Sequence, residues 1–221
     1  MQARKIPKNY RNVTGFITSS KSNRPISFES KLERDFFFIF EYDKSVVSIY
    51  DQPLKIEYVH EQDGKVEIRS YTPDVYIERE NRPNIIGEVK YYQDLKKDWE
   101  RLKPKFKAAK LHARRQEVPT IFVLFTDRCE IIANKDYIKN IHFLDNYNDY
   151  KTDDYEIIKD LYMQDMTIRE LLEMYSDDEM EQAQLVPSIW ALTKQQIIEV
   201  DLTQQLTMRT KILSIKDIYD T

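Results

Sequence analysis

Short apolar runs divided by polar turns fill the middle of the chain, with helical periodicities before, between and after them. Phe28, Leu32, Phe36, Ile39 and Phe40 recur at helical spacing and predict a helix with one apolar stripe. Ser27 is one candidate N-cap. Ser30-x-x-Glu33 has the capping-box spacing, and only one of the two serines can mark the true start. Residues 46–50 and 54–59 read as strands from their β-branched and aromatic content, broken by Asp51-Gln52-Pro53. Gln62-Asp63-Gly64-Lys65 signals a hairpin, and residues 66–71 form the returning strand. Residues 74–77 and 85–90 are two further strands around a charged turn at 78–83. A helix follows over 94–115, with Leu95, Trp99, Leu102, Phe106, Ala109 and Leu111 inward and Pro104 expected to kink or divide it. Residues 120–125 are continuously apolar, as in a strand buried on both faces. A short helix at 136–144 closes the series.

This order predicts an α/β sandwich around a mixed sheet. Residues 145–154 are polar and read as a linker. Beyond it come helices at 155–163, 167–175 and 178–186, then a hairpin of 197–202 with 206–212, an order that suggests a small winged helix. The expected division is an N-terminal arm (1–25), an α/β domain (26–148) and a C-terminal winged-helix-like domain (149–221).

Charge sharpens that division. The 221 residues carry a net charge of −4. Residues 1–150 hold 27 Lys and Arg against 23 acids, whereas 151–221 hold 7 against 15. The arm contains Arg4, Lys5, Lys8, Arg11, Lys21 and Arg24 and no acid. The 94–115 helix adds Lys96, Lys97, Arg101, Lys103, Lys105, Lys107, Lys110, Arg114 and Arg115 on its outer face. Such a surface suits a phosphate backbone, and it also suits plain solvation. The acidic C-terminal part would be repelled by phosphate and suits a protein partner better. One cysteine, Cys129, leaves no intrachain disulfide and no cysteine-based zinc site, and the three scattered histidines argue against a histidine metal cluster. No apolar run approaches a membrane span and no secretory signal is evident at the N-terminus, so a cytoplasmic protein is expected.

The candidate chemistry lies between Tyr71 and Tyr91. Glu88 and Lys90 alternate with Val89, so the two charged side chains share one sheet face, expected to be polar, and Val89 enters the core. An antiparallel hairpin would bring Asp74 opposite Glu88. Paired carboxylates are oxygen ligands for Mg²⁺. A cation there could polarise a phosphate and acidify a bound water, with Lys90 orienting the water or neutralising charge. The pattern alone is loose, and an ordinary solvated hairpin would also produce it. A third acid, Glu33 or the nearly equivalent Glu29, could reach this face from the first helix.

The run Ser30-Lys31-Leu32-Glu33, then Phe36, Glu41-Tyr42, Val46-Val47, Ile49, Gln52-Pro53, Ile56, Pro73-Asp74 and Glu88-Val89-Lys90 resembles the N-terminal domain of TnsA. TnsA is the endonuclease subunit of heteromeric bacterial transposases, including those coupled to CRISPR targeting. The resemblance spans residues 26–145 by motif. The C-terminal part matches the family's second domain in outline only. It implies a restriction-endonuclease-like PD-(D/E)xK nuclease with Mg²⁺, one ion or two, for which Mn²⁺ would substitute. It implies cleavage of the 5′ strand at transposon ends beside a TnsB-like transposase, with a TnsC-like ATPase docking on the C-terminal domain. Matched position by position, the family's catalytic residues fall on Glu33, Asp74, Glu88 and Lys90. Glu33, Asp74, Glu88 and the Val89 carbonyl would be the metal ligands. Where the best-known member has glutamine, this chain has Glu88. Arg4, Lys5, Lys8, Arg11, Lys21, Arg24, Lys96, Lys97, Arg101, Lys103 and Lys107 would contact DNA. A restriction or repair nuclease acting alone, and a non-catalytic assembly subunit, are the competing expectations.

Overall fold

A computed structural model describes residues 13–62, 64–148, 150 and 153–218. The chain separates into two compact units, divided between Ala133 and Asn134. The first unit opens with a small antiparallel ribbon of β1 (Gly15–Ile17) and β2 (Ile26–Phe28), followed by α1 (Lys31–Tyr42). Then come β3 (Val46–Asp51), the hairpin of β4 (Ile56–Gln62) and β5 (Lys65–Tyr71), β6 (Val75–Arg79) and β7 (Asn84–Val89). Helices α2 (Tyr92–Lys97) and α3 (Trp99–Arg114) lead to β8 (Thr120–Phe125) and α4 (Glu130–Ala133).

The central sheet has the order β3-β6-β7-β8. Its first two pairings are antiparallel and the β7–β8 pairing is parallel. Parallel neighbours need a crossover, and α2 and α3 supply it. The sheet is therefore mixed and buried on both faces. On one face α1 lays Leu32, Phe36 and Phe37 against Val75, Ile77, Ile85 and Val89. Phe36 is wholly buried, with its ring 4.6 Å from that of Phe40 and 4.7 Å from that of Phe125. Burial of such a side chain contributes roughly 1.5–3 kcal/mol. On the other face α3 lays Leu102, Phe106 and Ala109 against Ile56, Tyr71, Phe122 and Leu124. This is a restriction-endonuclease-like arrangement, a mixed sheet between helices.

Several details depart from the sequence expectation. Residues 13–25 are part of the folded unit, since β1 pairs with β2 and Ile17 joins the core. Ser30, not Ser27, caps α1. The long helix divides at Asp98 rather than at Pro104, which α3 accommodates in its interior. Leu111, expected inward, is 48% exposed. Lys105, placed on the outer face, points inward instead.

The second unit begins earlier than expected, with α5 (Lys135–Leu144) and a 3₁₀ turn (Asp145–Tyr147). It continues through α6 (Tyr155–Leu161), α7 (Ile168–Tyr175), with a capping box from Thr167 and Glu170, and α8 (Glu179–Lys194). Helix α8 runs past Pro187 because Ile189, Trp190 and Leu192 extend its buried surface. That burial outweighs a proline cost of about 3 kcal/mol. The terminal ribbon pairs β9 (Ile198–Glu199) with β10 (Ser214–Ile215), not 197–202 with 206–212. The intervening segment bonds to the start of α7 instead: Ile168 and Arg169 N–H donate to the Thr210 and Met208 carbonyls at 3.0 and 2.7 Å.

Candidate active site

β6 and β7 set the site's geometry. Their register pairs Val75 with Gly87. Continued by one residue, it places Asp74 opposite Glu88. Gly87 makes this close pairing possible: a Cβ there would lie 2.7 Å from Val75 Cγ1 and 3.3 Å from Phe125 Cε2. Val89 is buried in the α1-side core, as alternation requires, and Glu88 and Lys90 face the α3 side. That face is not solvated, as the sequence suggested. Helix α3 covers it, and the Glu88 side chain is only 3% exposed.

Asp74, Glu88, Val89 and Lys90 line one cavity of about 220 Å³, and Glu33 and Glu29 line it too. Gln52, Ser27, Thr72, Phe37 and Lys105 complete the wall. The four side chains of the expected set are thus gathered, from the start of α1 and the end of the β6–β7 hairpin. Their present bonds differ in kind. Asp74 Oδ2 accepts the Val89 N–H at 2.8 Å, and the Asp74 carbonyl accepts the Gln52 N–H at 2.9 Å. Burial, then the charge of Glu88, pushes the Asp74 carboxyl well above the usual carboxylate range. Glu33 also caps its own helix end: Oε1 accepts the Ser30 hydroxyl at 3.0 Å and Oε2 the Glu29 N–H at 2.8 Å. Burial raises its pKa and these hydrogen bonds oppose the rise. The capping role and the site role therefore coexist in Glu33, and Glu29 stands beside it.

Glu88 has both oxygens occupied. Oε2 accepts the Tyr71 hydroxyl at 2.6 Å, and Oε1 pairs with Lys105 Nζ at 2.9 Å and more loosely with Lys90 Nζ at 3.8 Å. Burial and the Glu88 charge push the Tyr71 phenol far up, so it stays a donor at any working pH. Sequence reading missed Tyr71, Lys105 and Gln52 as site residues. Tyr71 and Gln52 gave no periodic signal, and Lys105 was lost among the basic residues of its helix.

The donor set is oxygen-rich, which suits a hard divalent cation. Glu29 Oε1 and Gln52 Oε1 are buried without a hydrogen-bond partner, and both residues border the cavity. Gln52 is held there with φ at 45°, in the left-handed region. Among the described residues, no three carboxylate, histidine or cysteine side chains already stand close enough to close around an ion together. A Mg²⁺ ion commonly takes only one or two protein carboxylates and keeps waters for the rest, so the Asp74–Glu88 pair fits it.

The expected DNA contacts fare unevenly. Arg4, Lys5, Lys8 and Arg11 lie outside the described residues. Lys21 is spent inside the unit, donating to the Phe40 and Asp43 carbonyls at 3.1 and 2.5 Å. Arg24 pairs with the buried Asp51 at 2.5 Å. Lys96, Lys97, Arg101 and Lys107 are exposed along α2 and α3, and Arg101 pairs with Asp98. Lys103 is half-buried beside the β4–β5 hairpin. No described helix is long and apolar enough to cross a membrane.

No curated protein matches the chain. A family model described as TnsA-like endonuclease N terminal matches residues 43–127. The matched stretch contains Asp74, Glu88, Lys90 and Lys105, and Glu33 precedes it. The match spans less than half of the chain and, with the mixed sheet, supports a TnsA-like endonuclease N-terminal domain over residues 43–127.

Proposed function

We propose that the chain is the divalent-metal-dependent DNA endonuclease subunit of a heteromeric transposase. In this reading it cuts the 5′ strand at transposon ends beside a TnsB-like transposase and a TnsC-like ATPase. The observation that carries it is the convergence of Asp74, Glu88 and Lys90 on one cavity inside a TnsA-type domain. Asp74 and Glu88 would hold Mg²⁺ or Mn²⁺, with the Val89 carbonyl and Glu33 as further oxygens. When bound, the ion would polarise the scissile phosphate and acidify an attacking water. The chain's own groups do the rest. Lys90, with 29% of its side chain exposed, presents an ammonium at the mouth to orient the water and balance phosphate charge. Glu88 is buried and Asp74 half-buried, which limits bulk solvent and strengthens each interaction. A neighbouring open cleft of about 440 Å³ shares Glu29, Glu33, Val89 and Lys90 and gives a backbone a route to the cavity. The exposed bases of α2 and α3 would add affinity without sequence choice, so end recognition falls to partners.

The acidic second unit, four α-helices and a short ribbon, we assign to protein docking rather than DNA. Its charge opposes phosphate. A strand-nicking assay with Mg²⁺ on a transposon-end duplex, run with the two partner subunits, tests the catalytic reading. Asp74→Ala and Lys90→Ala should abolish nicking and leave assembly intact. Full activity in either variant would refute the site. Vigorous cutting by the purified chain without partners would favour a nuclease that acts alone.

A further inference from the structure

Neither the sequence nor the nuclease reading calls for Lys105 in the cavity wall. It projects from α3 to the sheet face and sets its ammonium 2.9 Å from Glu88 Oε1. The same ammonium lies 4.5 Å from the Tyr71 ring centroid and 5.2 Å from that of Phe106, so its charge is cradled by two aromatic faces. Its side chain is 19% exposed and Glu88 is 3% exposed, which makes this a largely desolvated ion pair. Tyr71 occupies the other Glu88 oxygen. A divalent cation approaching Glu88 Oε1 would compete with the ammonium already seated on that oxygen. Tyr71 is anchored in the α3-side core, whereas the lysine ends a flexible four-carbon stem. An ammonium and a Mg²⁺ ion on the same oxygen would also repel one another.

We propose, resting on the nuclease reading above, that Lys105 is a resident counter-ion of Glu88. A divalent cation displaces it, and the freed ammonium turns to a non-bridging oxygen of the DNA phosphate in the same cavity. The Glu88 charge is thereby balanced before a metal arrives, and metal entry releases a second lysine beside Lys90. A lysine that merely pinned α3 to the sheet would instead stay on Glu88 throughout.

Mn²⁺ binding followed by electron paramagnetic resonance separates these cases, with wild type, Lys105→Met and Lys105→Arg compared without DNA. Removal of a charged hydrogen bond competing for Glu88 should tighten Mn²⁺ binding in Lys105→Met by about tenfold. Nicking at saturating Mn²⁺ should fall at least as much, so affinity and turnover move in opposite directions. Lys105→Arg should retain weak binding. Unchanged or weaker Mn²⁺ binding in folded Lys105→Met overturns the proposal. Should that variant fail to fold, the wild type decides the matter. The Lys105 Cε resonance must shift as diamagnetic Mg²⁺ is added, and an unmoved resonance overturns the counter-ion role. Failure of the wild type to bind Mn²⁺ at all would instead bring down the nuclease reading itself.

Discussion

Replacing Asp74 with Asn should stabilise the metal-free first unit while destroying its activity. Asn keeps an oxygen to accept the Val89 N–H, so the local hydrogen bond survives. What disappears is one of two carboxylates facing each other at the end of β6 and β7. Unit charges about 5 Å apart, the usual separation of cross-strand side chains, repel by roughly 3 kcal/mol at an effective dielectric constant near 20. Lys105 and Lys90, at 2.9 and 3.8 Å from Glu88, offset part of this. A net gain of about 1–2 kcal/mol is expected, or roughly 2–8 °C in melting temperature for a chain of this size. The sign depends on pH. Asp74 has its folded pKa raised by burial and by Glu88. Its contribution is therefore fully present below the unfolded pKa of about 4 and declines as pH rises towards the folded value. The gain in Asp74→Asn should grow from pH 4 upward and vanish in acid. Chelator-treated proteins melted by circular dichroism across pH 4–9 provide the assay. A variant less stable than wild type at every pH would refute the electrostatic argument and leave Asp74 as a structural hydrogen-bond acceptor.

Other expectations concern geometry and linkage. Gly87→Ala forces a Cβ against Val75, so it should cost about 1–3 kcal/mol in urea unfolding and lower nicking by shifting Glu88 against Asp74. Mg²⁺ at a hundred times its dissociation constant should stabilise the wild type by about 2.7 kcal/mol and leave Asp74→Asn unmoved, a difference that thermal shift would read. Ser30→Ala removes the α1 cap that also holds Glu33, and should cost about 1 kcal/mol with a smaller loss of activity than Asp74→Ala. Deletion of residues 134–221 should leave the nuclease unit folded by circular dichroism and lose co-purification with the transposase and ATPase subunits.

Strand and helix periodicity made most of the first unit legible. The alternation at Glu88, Val89 and Lys90 fixed which side chains share a face, and the 74-to-88 spacing placed the two carboxylates together. What alternation could not reveal was cover. A polar residue on a sheet face reads as solvated until a helix packs over it, and only the crossover through α3 makes Glu88 a buried charge. Lys105 was illegible for the same reason, because one inward lysine among nine bases disturbs no periodicity. Lys21 and Arg24 read as a free basic arm, but their partners, backbone carbonyls and the distant Asp51, carry no local signal. The terminal ribbon slipped because residues 206–212 have strand composition, while tertiary bonds to α7 claim their backbone groups.

Anomalous diffraction from crystals grown with Mn²⁺ tests the central claim most directly. A peak bonded to carboxylate oxygens of both Asp74 and Glu88, within reach of Lys90, is expected. A Mn²⁺ peak elsewhere with these two carboxylates unligated, or no peak at concentrations that support nicking, would contradict it.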